Sequence, residues 1–398
     1  MKKIRVPYGM SVHDNKEIQA VIKTLKQSTQ MGQNVNRFEK KISQLFNKKY
    51  GLMVNSGSSA LLLAFASINL PKGSEVITPV LTFATTVSSM IHNNLIPVFV
   101  DVKQTTYCID EQKIEKMISK KTKAICIPNL IGNIPNWSIL RRIAKKHKLI
   151  IIEDSADALG SKFNNQSTGS YSDISITSFY GSHIINCAGN GGMVCFNNLK
   201  YYNKAKLLRS WGRSSSLYNN SEKIENRFKT KINNMYYDAK FIFSEIGYNL
   251  EPSEIGASFG LEQLKKLKNN IKLRKQNFNS HQLFFKKLNK WFLLPTEEKN
   301  VSTGWLAYPL LVKKNSMISR KKIQIYLEKN NIQTRVVFTG NILKQPGFSR
   351  IKCRKDKTGY PNANNVMQNG FLIAVHHGLN AKMIKHLYNC FRKLFKIN

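Results

Sequence analysis

Four short stretches bring together residue types that can do chemistry. The first is SFYGSHIINCAGNGGMV, where His183 stands among small residues between a strand-like run, DISITSFY, and a second, GMVCF. A neutral imidazole at such a bend suits a proton shuttle near pH 7. The second is IIIEDSADALG, which sets Asp154 and Asp157 just past an apolar run. Ligands of open α/β sheets bind beyond the carboxyl ends of strands. These carboxylates could therefore hold a magnesium ion, pair with a protonated ring nitrogen, or simply be solvated, and the motif alone leaves all three open. The third is NSGSSA, Asn55 to Ala60, where a strand ends, a glycine turns the chain and a helix begins. Helix-start N–H groups and serine hydroxyls make an anion cradle. An ordinary cap with Ser58 as the capping residue is the plainer reading. No Gly-Lys-Ser/Thr follows, so this is not a Walker A loop, and the magnesium reading of Asp154 lacks its partner. The fourth is PVLTFATT, whose Phe83 can stack on a flat ring.

The elements that must position these residues alternate between strand and helix. GLMVNSG, SEVITPV, IPVFVDV, KAICIPNL and KLIIIEDSA read as strands. SSALLLAFASI, Phe83 to His92, Glu111 to Ile118 and SILRRIAKKHK read as the helices between them. Apolar strands separated by helices predict a mostly parallel sheet covered on both faces. Ser210 to Tyr237 is polar and reads as a long loop. From Pro252 a helical stretch, SEIGASFGLEQLKKL, leads to further strands, TGWLAYPLLV and QTRVVF. At 398 residues the chain is too long for one ordinary core. We divide it near residue 250, into a large domain, 1–250, and a small C-terminal domain, 251–398.

The formal charge is +39, from 62 Lys+Arg against 23 Asp+Glu. Such an excess suits polyanions or phosphorylated ligands. The lysines are spread over the whole length, however, and the denser patches, RRIAKKHK and KNNIKLRK, read as solvated helix faces. With no nucleic-acid motif beside it, the charge reads as compositional rather than as a nucleic-acid footprint. The six cysteines include no CxxC pair, so no zinc site is expected and a reduced, cytoplasmic setting is. MKKIRVPYGM has no apolar stretch behind its basic residues, so it does not read as a signal peptide. No apolar run approaches the length of a membrane span.

Taken in order, NSGSSA, PVLTFATT, EDSADALGS, SFYGSHIINCAGNGG, GYNL and SEIGASFGLEQL resemble the DegT/DnrJ/EryC1/StrS family of sugar aminotransferases. These are fold-type I pyridoxal phosphate enzymes, and the similarity runs from about residue 5 to the C-terminus. The resemblance implies an α/β fold, with a mostly parallel central sheet and a smaller C-terminal α/β domain. It implies that Gly57, Ser58 and Ser178 hold the cofactor phosphate and that Phe83 stacks on the pyridine. Asp154 would pair with the pyridine nitrogen and keep the ring electron-withdrawing. Asp157 would lie near the ring hydroxyl. Asn249 would reach the phosphate of a neighbouring subunit, which implies a homodimer with shared active sites.

His183 occupies the place where the aminotransferases of this family carry the lysine that binds pyridoxal phosphate covalently. That exchange resembles a smaller branch, the nucleotide-sugar 3-dehydratases. One kind acts on GDP-4-keto-6-deoxymannose and uses L-glutamate to restore the amine of pyridoxamine phosphate. Another acts on CDP-4-keto-6-deoxyglucose and carries a [2Fe-2S] cluster fed by a reductase. SWGR, TRVVFTGNILKQPGF and VHHGLN echo the second kind, yet WGRSSSLYNNSEKIENRF carries no cysteine. Cys187 and Cys195 cannot hold a cluster that needs four protein ligands. No iron–sulfur centre is expected, and the glutamate route is. His183 would then move protons at the cofactor's reactive carbon while the C3 hydroxyl of a nucleotide-linked 4-keto-6-deoxy sugar leaves. Arg213 and Arg335 are candidates for the substrate's diphosphate. Asn190, in GNGG, replaces the family's usual Glu. The competing readings are an atypical or inactive aminotransferase lacking its lysine, and a non-catalytic regulator of the same fold.

Overall fold

A computed structural model describes residues 4–218, 220, 222–314 and 316–397. Seven strands form the main sheet: β1 (Tyr50–Val54), β2 (Glu75–Pro79), β3 (Ile96–Val100), β4 (Thr122–Pro128), β5 (Ile150–Asp154), β6 (Ile174–Ser178) and β7 (Gly192–Phe196). Their order across the sheet is β1-β7-β6-β5-β4-β2-β3. From β6 to β3 every pairing is parallel. Only β7 runs against its neighbours, β1 and β6. The mostly parallel sheet expected from the sequence is therefore present. Its one reversal lies in the β6–β7 connection that holds His183.

The helices of this part are α1 (Asn15–Gln27), α2 (Gln33–Leu45), α3 (Gly57–Ile68), α4 (Ala84–His92), α5 (Trp137–His147) and α6 (Leu199–Arg209). Strand residues alternate between the two faces, so each run of buried residues feeds two cores. Ile152 and Val194 pack with Leu63, Phe65 and Leu208 of α3 and α6. Ile151 and Ile125 pack with Trp137, Leu140 and Ile143 of α5. A 33-residue helix, α7 (Glu254–Lys286), follows and spans roughly 50 Å at 1.5 Å per residue. It leads to a four-stranded antiparallel sheet, β8 (Phe292–Leu293), β9 (Ala307–Val312), β10 (Arg335–Val336) and β11 (Gly370–Ala374), in the order β8-β9-β11-β10. Helices α8 (Arg320–Lys329), α9 (Pro361–Asn369) and α10 (Ala381–Phe395) complete it.

Four local expectations change. Glu111 to Ile118 is two 3₁₀ turns, Glu111–Lys113 and Glu115–Met117, not an α-helix. Three-residue spacing eclipses side chains along one side, which lets Ile114 and Met117 enter the same core. The stretch read as a loop from Ser210 carries a short hairpin, Lys231–Ile232 with Met235–Tyr236. Its turn residues, Asn233 and Asn234, take φ of 47° and 64°, a conformation asparagine tolerates. QTRVVF supplies only a two-residue strand, because the chain turns away at Phe338 with φ 44°. KNNIKLRK is not uniformly a solvated face, since Asn270 and Arg274 are buried in α7.

Candidate active site

A cavity of about 430 Å³ opens at the carboxyl ends of the parallel strands. Its wall collects Gly57, Ser58, Phe83, Asp154, Asp157, Ser178, His183 and Asn190, each of them singled out by the sequence. A larger groove of about 1350 Å³ lies elsewhere, between α1, α2 and α7, and is rimmed by lysines. Of its two acids, Glu254 already accepts from the N–H groups of Gly32, Asn34 and Val35, and Glu262 pairs with Lys265. The smaller cavity holds the carboxylates and the imidazole that can do acid–base work.

One end of the cavity is an anion cradle. The cap of α3 is Ser56, not Ser58: the Ser56 hydroxyl accepts from Ser59 N–H at 3.1 Å. This leaves the exposed Ser58 hydroxyl on the cavity wall. The first N–H groups of a helix have no intrahelical partner and favour anions. Gly57 is needed here because a β-carbon would stand 2.6 Å from Ser178 Cβ. The start of α3 and the end of β6 are thus pressed together, so that Gly57, Ser58 and Ser178 face one small volume.

The other end holds two buried carboxylates. Asp154 ends β5, where its side chain accepts from Thr86 Oγ1 at 3.2 Å and from Ala156 N–H at 3.2 Å. Burial outweighs these bonds and pushes its pKa up to about 6. A buried carboxylate in that state gains from a cationic partner. Asp157 accepts from Ile131 N–H at 3.0 Å. Burial, and then the charge of Asp154, push it up to about 7. Ile131 holds φ at 61°, strained for a β-branched residue by about 1–3 kcal/mol. That strain aims its N–H at Asp157. Phe83 lines the same cavity, half exposed and edge-on to Phe338 at 6.1 Å.

His183 closes the site. Its Nδ1 lies 3.2 Å from the carbonyl oxygen of Ser178. A carbonyl only accepts, so Nδ1 carries the proton and Nε2 keeps its lone pair. Nε2 is 4.0 Å from Asp157 Oδ1. Burial, with Arg274 adding repulsion, lowers the imidazole pKa to about 4. The ring is therefore a neutral base at pH 7, beside a carboxyl group poised to exchange a proton. No lysine is among the described residues that line the cavity. An aromatic face, an anion cradle and a desolvated carboxylate in one cavity fit a flat, phosphorylated, protonatable ring.

Three sequence candidates stand elsewhere. Asn249 is exposed and does not line the cavity of its own chain. Arg213 lies with its guanidinium 4.7 Å from the ring of Trp211, also away from the cavity. Arg335 sits 5.4 Å from the ring of Tyr8, which does line it. Tyr8, Ile131, Leu306 and Arg274 escaped the sequence reading. They come from distant segments, and only Arg274 left a trace there. It falls in register with Leu267, Phe278 and Phe285 on the buried stripe of α7.

Comparisons with known proteins follow the same line. The lipopolysaccharide biosynthesis protein RfbH of Salmonella typhimurium is 33% identical, over 99% of this chain and 92% of that protein. The dTDP-4-dehydro-2,6-dideoxy-D-glucose 3-dehydratase of Saccharopolyspora spinosa is 31% identical, over 96% and 84%. A crystal structure of GDP-4-keto-6-deoxymannose-3-dehydratase with a trapped PLP-glutamate geminal diamine superposes with a TM-score of 0.86. It is 27% identical and covers 97% of this chain and 99% of that one. Residues 11–392 match the family's sequence model, and the chain belongs to the DegT/DnrJ/EryC1/StrS aminotransferase family.

Proposed function

We propose that the protein is a pyridoxamine/pyridoxal phosphate-dependent 3-dehydratase of a nucleotide-linked 4-keto-6-deoxyhexose, working toward deoxysugars of surface polysaccharide. One observation carries the reading: a neutral imidazole, with no lysine, faces the cavity that would receive the cofactor. The named 3-dehydratases among its relatives support it. When bound, the cofactor supplies a ring that withdraws electrons from the carbon next to its amine.

The chain's own residues do the rest. Gly57, Ser58 and Ser178 take the phosphate, and Phe83 covers the ring. Asp154 pairs with the ring nitrogen and thereby regains its charge. His183, with Nε2 free, accepts a proton at the cofactor's reactive carbon and returns one to the departing C3 hydroxyl. Asp157, 4.0 Å away, steadies the imidazole while it is charged. L-Glutamate would be the amine donor, as the trapped PLP-glutamate species of the related dehydratase suggests. Arg335, close to the cavity wall through Tyr8, is assigned to the substrate's diphosphate; Arg213, away from the cavity of its own chain, would serve only across a subunit boundary.

We assign a homodimer as the working unit, with Asn249 reaching the neighbour's phosphate. The exposed apolar residues in the segment that precedes Asn249 are consistent with this assignment. Ile224 is 72% exposed, Tyr236 66% and Ile246 97%, apolar side chains that a second copy could cover.

The test is to incubate the protein with pyridoxamine phosphate, glutamate and a panel of nucleotide-linked 4-keto-6-deoxy sugars. Product mass decides the outcome. Loss of one oxygen supports deoxygenation, whereas an amino group in place of oxygen means transamination. No conversion, with no cofactor absorbance in the purified protein, favours a non-catalytic role.

A further inference from the structure

Arg274 is fully buried in α7, and every donor of its guanidinium is engaged. Nη2 donates to the carbonyl oxygens of Ser182, at 3.4 Å, and His183, at 3.2 Å. Nη1 donates to those of Trp305, at 3.1 Å, and Leu306, at 3.2 Å. Nε donates to His377 Nδ1 at 3.2 Å. Leu306 N–H in turn donates to Ile131 O at 2.8 Å, and Ile131 N–H holds Asp157. One planar fork therefore grips the backbone of His183 directly and reaches the side-chain carboxylate of Asp157 through Leu306 and Ile131. A lysine has three donors on a flexible stem and cannot span these five acceptors.

We propose that Arg274 is a positioning residue that fixes the separation of His183 and Asp157, the pair on which the proposed reaction rests. The geometry carries this. The His183 bend ends on this guanidinium directly, and the strained Ile131 turn is tied to it through Leu306. Its charge acts in the same direction, because it disfavours a second cation at His183 and favours the carboxylate of Asp157. The other groups facing His183 are Asp157 itself and the ring of Tyr180 at 5.9 Å, with Tyr8 and Asp154 on the cavity wall.

The test uses cofactor-free, full-length protein with ¹⁵N-labelled histidine, and His183→Asn to assign the signal. In wild type, His183 stays neutral and protonated on Nδ1 well below pH 6. Arg274→Met should raise its titration midpoint by about one unit. Arg274→Lys should hold the midpoint near that of wild type. Both should slow the conversion of bound pyridoxal phosphate by glutamate at least about tenfold, with the glutamate KM little changed. His377→Leu, which frees Nε, should give a smaller loss of the same kind and decides the matter if the Arg274 variants do not fold. Folded Arg274 variants, or failing those His377→Leu, that match wild type in both midpoint and rate overturn the proposal. If wild type itself shows no conversion with glutamate, the functional reading falls, and the titration alone judges Arg274.

Discussion

Gly57→Ala tests the anion cradle at its tightest point. The added methyl would stand 2.6 Å from Ser178 Cβ and 3.1 Å from its Oγ. Carbon atoms rest at about 3.5 Å or more, so α3 and the end of β6 must separate by close to 1 Å. Ser178 Cβ is no flexible tip: the Cα behind it is itself only 3.3 Å from the new atom. A donor that starts about 2.8 Å from a phosphate oxygen then passes beyond hydrogen-bond reach. A hydrogen bond to a charged group is worth about 1.5–3 kcal/mol. Losing one weakens binding by about tenfold to a hundredfold. Overpacking adds about 1–3 kcal/mol of lost stability, seen as a fall of a few degrees in melting temperature. The assay is a fluorescence titration with pyridoxal phosphate beside a thermal melt. Gly347→Ala is the control, since nothing lies within 4 Å of a β-carbon there. A folded Gly57→Ala protein that binds pyridoxal phosphate within threefold of wild type would refute the cradle.

The remaining predictions concern charge. Asp154→Asn cannot pair as an anion with a ring nitrogen and should slow the glutamate reaction by at least about a hundredfold. The same change should raise the melting temperature of cofactor-free protein at pH 8. A carboxylate raised to about 6 contributes its stability below its unfolded pKa and loses it as pH climbs through the folded one. Histidines behave in the opposite sense. His183, His281 and His376 are each lowered to about 4 by burial. Their contribution is present above about pH 6.5 and is lost as pH falls toward 4, by about 1.4 kcal/mol per unit for each group. Melting curves of cofactor-free protein should therefore drop over that window, and His183→Asn should flatten the drop. Finally, His183→Lys should give a covalent pyridoxal phosphate adduct that borohydride makes permanent. A cofactor that stays dialysable in that variant would place the site elsewhere.

The strands and the cavity floor were legible because they are local. Apolar runs such as IIIED announce buried strands, and chemistry-bearing residues fall where those strands end. The cap of α3 was misplaced by two residues because NSGSSA offers three serines, and only backbone geometry selects Ser56. The Ile131 turn was invisible, since no propensity rule puts isoleucine at φ 61°. Tyr8 and Leu306 arrive at the cavity from opposite ends of the chain, and such contacts leave no periodic trace. Arg274 was misread as solvated charge because KNNIKLRK looks uniformly basic. Its spacing with Leu267, Asn270, Phe278 and His281, all buried on one stripe of α7, was the signal that could have corrected this.

A site without a lysine changes which contacts matter. Where a covalent bond anchors a cofactor, a weakened cradle lowers activity before it lowers retention. On the proposed reading, retention rests on contacts that dissociate: the start of α3, the serines, the face of Phe83 and the charge of Asp154. Damage to any one should appear first as cofactor loss on dilution. The same freedom makes chemical sense of His183. An imidazole that forms no lasting bond to the ring can leave it between two proton transfers, provided its backbone stays fixed while the cofactor moves. That requirement falls on the Ser178 carbonyl in front of the ring and the Arg274 fork behind it.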